Sequence, residues 1–352
     1  MRSKESYSSK LPGPGELTLI SRIRHLAANT SSPELRLGIG DDCALLRPRA
    51  GEELAVTTDL SIENRHFRLD WHPPEAIGHR TLARGLSDLA AMGARPVAAF
   101  LSLGFPPALT QSKARRPSQP NAQHNSWIDQ FLAGLLALAE ATKTPLAGGD
   151  LAQSPFAVAD IVLIGAVPRG RALLRSGAQP GQSLYITGSL GAAAAGLARL
   201  AQLAASATSS TPPRIPKALA TTLAAHLYPR PRLAQGQWLV RTNLATAALD
   251  LSDGLSTDLA HLCQESGVAA EVDADSLPIA PGATLDQALN GGEDYELLFT
   301  APAAARLPRS IAGIPVTRIG RIVKPRSGRP QVTLLAEQRR EPLLPRGWEH
   351  FS

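Results

Sequence analysis

Residues 245–266 read ATAALDLSDGLSTDLAHLCQES, and their pattern sets the fold class. Ala245 to Leu249 is a short apolar run of strand type that stops at Asp250. Ser252-Asp253-Gly254 is a turn, and Leu255 to Ser266 brings apolar residues back at helical spacing. A strand therefore delivers a carboxylate to its end, and a glycine turn opens the next helix. The first half of the chain uses the same grammar. Leu54 to Thr58 is a β-type run that stops at Asp59, and Ala76 to Met92 is a long amphipathic pattern with Gly93 placed as a C-cap.

Outward from these anchors, helices are expected over Glu16–Ala28 and Trp127–Thr142, and strands over Val97–Leu103, Phe156–Val167 and Ser183–Thr187. Gly188 and Gly191 open an alanine-rich helix, and Val268–Val272 and Tyr295–Thr300 read as further strands. Gly38 to Asp42 reads as a glycine loop, and Leu146 to Asp150 as a turn around Gly148 and Gly149. Residues 111–126 and 207–216 are polar and proline-punctuated, which marks surface insertions. Mixed strands and helices in both halves give an α/β (α+β) class with two domains in series. The expected division is a loose tail over 1–15, an N-terminal domain over 16–168 and a C-terminal domain over 169–352, joined through the turn-rich Arg169–Gly181.

Composition narrows the function. With 352 residues, 43% hydrophobic and 19% charged, a sizeable core is possible and global disorder is excluded. The net charge of +6 comes from scattered arginines with no interleaved aromatics, so a solvated surface is favoured over a nucleic-acid platform. Cys43 and Cys263 lie far apart without CxxC spacing, which fits neither a disulfide framework nor a zinc site and suits a reducing cytosol. The first fifteen residues lack the apolar core of a signal peptide. The alanine-rich stretch 191–205 is short and broken by Arg199, so it reads as a buried helix and not a membrane span. A cytoplasmic protein is expected.

The chemistry lies in the acids. Asp59, Asp150 and Asp250 each follow a short apolar or glycine segment, and Asp41, Asp42 and Asp253 sit in glycine loops. Asp88 lies inside an otherwise apolar helix, where a carboxylate is costly unless something positive pairs with it. Carboxylates converging at sheet ends repel one another, and a hard divalent cation such as Mg2+ resolves that repulsion. Thr57, Thr58 and Ser252 offer neutral oxygens nearby, and Gly148-Gly149 and Gly291-Gly292 allow close backbone approach to a phosphate. Each feature also has a plainer reading. Asp beside Gly is commonly a turn residue, Asp88 can pair with Arg84 four residues earlier, His66 can be a packed histidine and Trp348 a terminal anchor. No Gly-Lys dipeptide occurs, so a Walker-A loop is excluded, and the protein-kinase set and a GxGxxG fingerprint are missing too.

Eight ordered blocks resemble thiamine-monophosphate kinases. They are Gly38 to Leu46, Thr57-Thr-Asp59 with His66-Phe67, Leu86 to Ala94, Gly148-Gly-Asp150, Arg171 to Gly177, Asp250 to Leu255, Gly291 to Leu297 and the closing Gly347 to Phe351. Weaker versions occur in aminoimidazole ribonucleotide synthetase, selenophosphate synthetase and a hydrogenase-maturation relative. The resemblance implies a two-domain aminoimidazole ribonucleotide synthetase-like fold, with an N-terminal domain that dimerises through its strands and a C-terminal α/β domain. It implies direct in-line transfer from ATP to thiamine monophosphate without a phospho-enzyme, within thiamine diphosphate biosynthesis. By the same resemblance Asp42, Asp59, Asp88, Asp150, Asp250 and Asp253 hold several Mg2+ ions with help from Thr57 and Thr58. Gly149, Asp150, Arg175 and Ser252 face ATP, and His66, Glu293 and Trp348 face thiamine monophosphate. A K+ requirement is left open. One departure stands out: where the family often has an aromatic near the end of the helix before Gly148, this chain has Ala141 and Thr142.

Two other readings compete. One is a different ATP-dependent small-molecule phosphotransferase or synthetase of the same superfamily. Selenophosphate synthesis would need a glycine-rich N-terminal loop bearing Cys and Lys, and hydrogenase maturation a C-terminal cysteine. The other is a basic nucleic-acid-binding protein, which the cluster of acids opposes because unneutralised acids repel phosphodiesters.

Overall fold

The computed structural model describes residues 15–111, 126–206, 212–213, 215–328, 330–337 and 339–348. The chain opens with helix α1 (Glu16–Ala27) and a two-stranded ribbon of β1 (Leu35–Leu37) and β2 (Leu45–Leu46). Then follow β3 (Glu52–Ile62), α2 (Pro74–Ala91), β4 (Arg95–Phe105), α3 (Trp127–Thr142), β5 (Leu146–Gln153) and β6 (Val158–Pro168). These strands form a four-stranded sheet in the order β3-β6-β4-β5. The capping box of Ser126 and Asp129 starts α3. Met92 and Gly93 end α2, with Gly93 at φ +68° and Ala94 N–H donating to Leu89 O at 2.8 Å.

Two expectations about this sheet needed revision. Strand β3 does not stop at Asp59 but runs on to Ile62, paired throughout with β6, so Asp59 is a mid-strand residue. The expected turn at Leu146–Asp150 is part of β5, paired in parallel with β4. Its glycines suit a strand here because Gly149 takes φ +147° directly over a neighbouring backbone. A Cβ at that position would lie 1.8 Å from Leu101 O.

The second half contributes β7 (Ser183–Thr187), α4 (Ala192–Ala205), α5 (Ala220–Leu227), α6 (Leu233–Thr242), β8 (Ala247–Asp250) and α7 (Leu255–Ser266). It continues with β9 (Ala269–Asp273), α8 (Leu285–Asn290), β10 (Leu297–Ala301), β11 (Ser310–Ile311), β12 (Ile314–Val323), β13 (Val332–Ala336) and β14 (Arg339–Pro342). The larger sheet runs β14-β13-β9-β12-β7-β10-β8, with β11 attached to β12. Strand β8 therefore forms an edge and leaves Asp250 beside the first half of the chain. The insertions expected at 111–126 and 207–216, and the tail, fall largely outside the described residues.

Helix α2 is the piece both halves share. One side packs on β3 and β6, where Gly85 lets it settle onto Leu163, to whose Cδ1 an added Cβ would stand 2.7 Å away. Another side receives α6, because Gly236 brings the two helix backbones together: a Cβ there would lie 1.9 Å from Ala90 O. Leu82, Leu86 and Leu89 of α2 share one apolar core with Leu239 of α6 and Phe299 of β10. Burial of this kind stabilises by roughly 25 cal/mol for each Å² of apolar surface, so the halves are fixed by a common interior. Gly236→Ala should cost about 1–3 kcal/mol through overpacking, read as a lower urea midpoint. An unchanged midpoint would mean the helices have slack.

Candidate active site

Helix α2 carries Arg80, Arg84 and the adjacent pair Ser87-Asp88 on successive turns, three or four residues apart. Each meets a group from another element. Arg80 Nη2 donates to Glu293 Oε1 at 2.5 Å, and Arg84 Nη2 donates to Asp59 Oδ1 at 2.9 Å. Ser87 Oγ donates to Asp250 Oδ2 at 2.6 Å, and Thr57 Oγ1 donates to Asp88 Oδ2. Arg84 thus pairs with Asp59 on β3, not with Asp88 on its own helix. The reason is the pleat: Thr57 and Asp59 alternate onto the helix-facing side of β3 and reach adjacent turns of α2.

Electrostatics follow from this crowding. Burial, the charge of Asp250 and that of Asp59 push Asp88 above the ordinary carboxylate range, with the Thr57 hydroxyl opposing. Burial also raises Asp250, with Ser87 opposing and Asp59 adding. Asp59 itself is raised because burial outweighs its pairing with Arg84. Beneath them Asp258 accepts the Asp253 and Gly254 N–H groups at 3.0 Å each. Burial, Asp250 and Asp253 push it up to about 8. Glu293 goes the other way. Burial opposes its ionisation, but Arg80 and the hydrogen bond from His226 hold it well below the usual range. His226 Nδ1 stands 3.3 Å from Glu293 Oε2, and His226 Nε2 stands 3.0 Å from His72 Nε2. Glu293 and Tyr295 have φ of +67° and +50°, backbone strain of the kind held at functional sites.

These groups border one cavity of about 690 Å³, which takes in Asp59, Asp88, Asp250, Ser252, Asp253, His66, Glu293 and Trp348. Trp348 is 48% exposed at its mouth, and its backbone N–H donates to Asp253 O at 3.1 Å. His66 Nδ1 accepts the Ile62 N–H at 3.0 Å. Arg175 is exposed but close enough for its charge to act on Asp88 and Asp250.

The remaining residues singled out in the sequence stand elsewhere. Asp42, Gly149 and Asp150 line a second cavity of about 600 Å³ with Ile20, Ile23 and Phe100. Thr58 points to the opposite side of β3 from Asp59 and donates to Asp160 Oδ1 at 2.9 Å. Asp150 lies on that same side, since it registers with Ser102 and, across β4, with Asp160. Sequence reasoning also passed over Arg80, Ser87, His226 and Asp258. For Arg80 and Ser87 the signal was available, because they share a helical face with Arg84 and Asp88. His226 and Asp258 carry no local signal and are recruited by tertiary packing.

Among the described residues no three His, Cys, Asp or Glu side chains group closely enough to hold an ion unaided. The donor set nevertheless suits Mg2+, which takes one or two carboxylates and completes its shell with phosphate oxygens and water. Asp250 raises the pKa of Asp88, Asp59 adds to both, and all three face one cavity, so a divalent ion is the natural relief for that repulsion.

Residues 40–167 match the AIR synthase related protein N-terminal domain, and residues 179–333 match its C-terminal domain. The class is therefore a two-domain AIR synthase related protein with its cavity where the two halves meet. Thiamine-monophosphate kinase of Salmonella typhimurium is 39% identical over 320 residues, covering 88% of this chain and 90% of that protein. The Escherichia coli K12 protein of the same name is 36% identical over 350 residues, covering 96% and 98%. The crystal structure of thiamine-monophosphate kinase from Stenotrophomonas maltophilia K279a superposes with a TM-score of 0.73 at 39% identity, covering 90% and 95%. AaThiL complexed with AMPPCP and TMP superposes with a TM-score of 0.69 at 28% identity, covering 98% and 100%. Hydrogenase maturation protein HypE, at 18% identity, shares the fold. The chain belongs to the thiamine-monophosphate kinase family.

The acid cluster makes a pH prediction. Asp88, Asp250 and Asp258 keep protons in the folded state at pH values where the unfolded chain has released them. The folded state then binds more protons, so stability falls as pH rises from about 4 past neutrality. Melting temperature without Mg2+ should drop between pH 5 and pH 8, and saturating Mg2+ should flatten that slope. A metal-independent slope would show that these acids are not what the ion neutralises.

Proposed function

We propose that this chain transfers the terminal phosphoryl group of ATP to thiamine monophosphate, releasing ADP and thiamine diphosphate. The observation that carries this reading is the convergence of Asp59 and Asp88 with Asp250 and Asp253, acids from both halves, on one cavity bordered by Trp348 and Glu293. The names of the relatives and the AMPPCP and TMP of the AaThiL complex support it.

In the proposed reaction an oxygen of the acceptor phosphate attacks the γ-phosphorus in line. The new P–O bond forms as the bond to the β–γ bridging oxygen breaks, and the electron pair leaves with ADP. The acceptor is already anionic, so no side chain has to remove a proton, and alignment and charge neutralisation carry the catalysis. Bound Mg2+ would supply that neutralisation through Asp59, Asp88, Asp250 and Asp253, with Ser252 as a neutral oxygen. The glycine-lined second cavity with Asp42, Gly149 and Asp150 would receive the nucleotide, its glycines allowing close approach of phosphates, and Arg175 would meet a phosphate from the other half. Glu293, kept ionised by Arg80 and His226, would give the cationic thiazolium a counter-charge, while Trp348 stacks on a ring and His66 lines the same wall.

The homodimer belongs to this reading too. The side of β3 turned away from α2 carries Leu54, Val56 and Leu60 at 45%, 65% and 46% exposure. An apolar row of this kind on an open sheet suits a second copy of the same face.

Three measurements test the proposal. A coupled assay should give ADP from ATP and thiamine monophosphate only with Mg2+, and Asp88→Asn should lower kcat by at least about 100-fold; full turnover in that variant would remove Asp88 from the ion site. Trp348→Ala should raise KM for thiamine monophosphate while KM for ATP barely moves, and a matched rise in both would refute the stacking role. Val56→Glu should shift the mass in solution from dimer to monomer, and an unchanged mass would place the contact elsewhere.

A further inference from the structure

Two arginines of α2 enter the cavity region, and they differ in how completely they are used. Arg80 is saturated: its amino groups reach Glu293, the His226 carbonyl and the His66 carbonyl. Among the described residues Arg84 makes a single hydrogen bond, from Nη2 to Asp59, and its Nη1 is buried with no partner. A buried guanidinium N–H without an acceptor costs free energy that an incoming oxygen would return. Burial opposes its charge, but Tyr295, Asp59 and Glu293 lie close enough to this guanidinium to hold its pKa up. The group is therefore a permanent positive charge among acids, anchored at one end and unfilled at the other.

We propose that Arg84 binds the phosphate of the acceptor: Nη2 stays on Asp59 while the guanidinium turns to present Nη1 to a phosphate oxygen. This rests on the function proposed above and adds to it a residue that tells phosphorylated from unphosphorylated substrate. The acceptor is preferred over ATP because Arg84 borders the cavity of His66, Glu293 and Trp348, whereas Gly149 and Asp150 line the other one. Arginine suits the task because its planar fork can hold a carboxylate and a phosphate at once, which a lysine ammonium does less well.

The test is calorimetric titration of the full-length protein in saturating Mg2+, which also keeps Asp59 neutralised when the arginine is removed. Wild type, Arg84→Lys and Arg84→Met are each titrated with thiamine monophosphate, thiamine and AMPPCP. Arg84→Met should bind thiamine monophosphate about 10-fold or more weaker, the loss of one charge-assisted hydrogen bond. Its affinities for thiamine and AMPPCP should stay within about 2-fold, and Arg84→Lys should fall between it and wild type. Unchanged thiamine monophosphate affinity in Arg84→Met overturns the assignment. So does an equal loss for all three ligands, which would mark a general distortion. If wild type binds thiamine monophosphate and phosphorylates it while Arg84→Met binds it equally well, this assignment alone fails. If wild type does neither, the function proposed above fails with it.

Discussion

The structure depends on placing several carboxylates in one poorly solvated cleft without letting their repulsion open it. Asp59, Asp88, Asp250 and Asp258 are each raised above their ordinary pKa, with burial the largest cause. A protein tolerates such a cluster only with partners in fixed positions. Helix α2 supplies most of them: Arg84 for Asp59, Ser87 for Asp250 and a place for the Thr57 hydroxyl on Asp88. Under the proposed function, that cost in stability would prepare the cleft for a cation and two polyanions.

That arrangement requires α2 to keep its distance from both sheets. Gly85 sets it on β6, and Gly236 sets it on α6. The core that runs from Leu163 through Leu86 to Phe299 crosses from one half of the chain to the other. Acids contributed by β3, α2 and β8 can therefore share a cavity although up to about 190 residues separate them in sequence. Glu293 shows the same economy. Its left-handed backbone aims it at Arg80 and His226, which hold it ionised, and the strain is compensated by the hydrogen bonds of the surrounding turn, Glu293 N–H to Ser252 O and Tyr295 N–H to Leu251 O.

Much of the fold was legible because it rests on local pattern. The helices Trp127–Thr142 and Leu255–Ser266, the strand Ser183–Thr187 and the cap at Gly93 follow from periodicity and from what glycine alone permits. Leu146–Asp150 was misread as a turn because paired glycines usually signal one, whereas here Gly149 is needed where β5 crosses close to the Leu101 carbonyl. The end of β3 was misplaced because an acid after a β-run reads as a boundary, whereas Asp59 stays in the strand to reach Arg84.

The sequence by itself determined the inventory: which acids, hydroxyls and glycines occur, in what order, and on which kind of element, because turn chemistry and side-chain periodicity act over a few residues. Tertiary structure alone decided the company each keeps. It sorted Thr57 and Asp59 from Thr58 by the pleat of one strand, and gave Arg84 to Asp59 instead of Asp88. It left Asp42 and Asp150 in a cavity of their own, and brought His226 to Glu293 across 67 residues. Those choices are made by packing between distant segments, where distance in space bears no relation to distance along the chain.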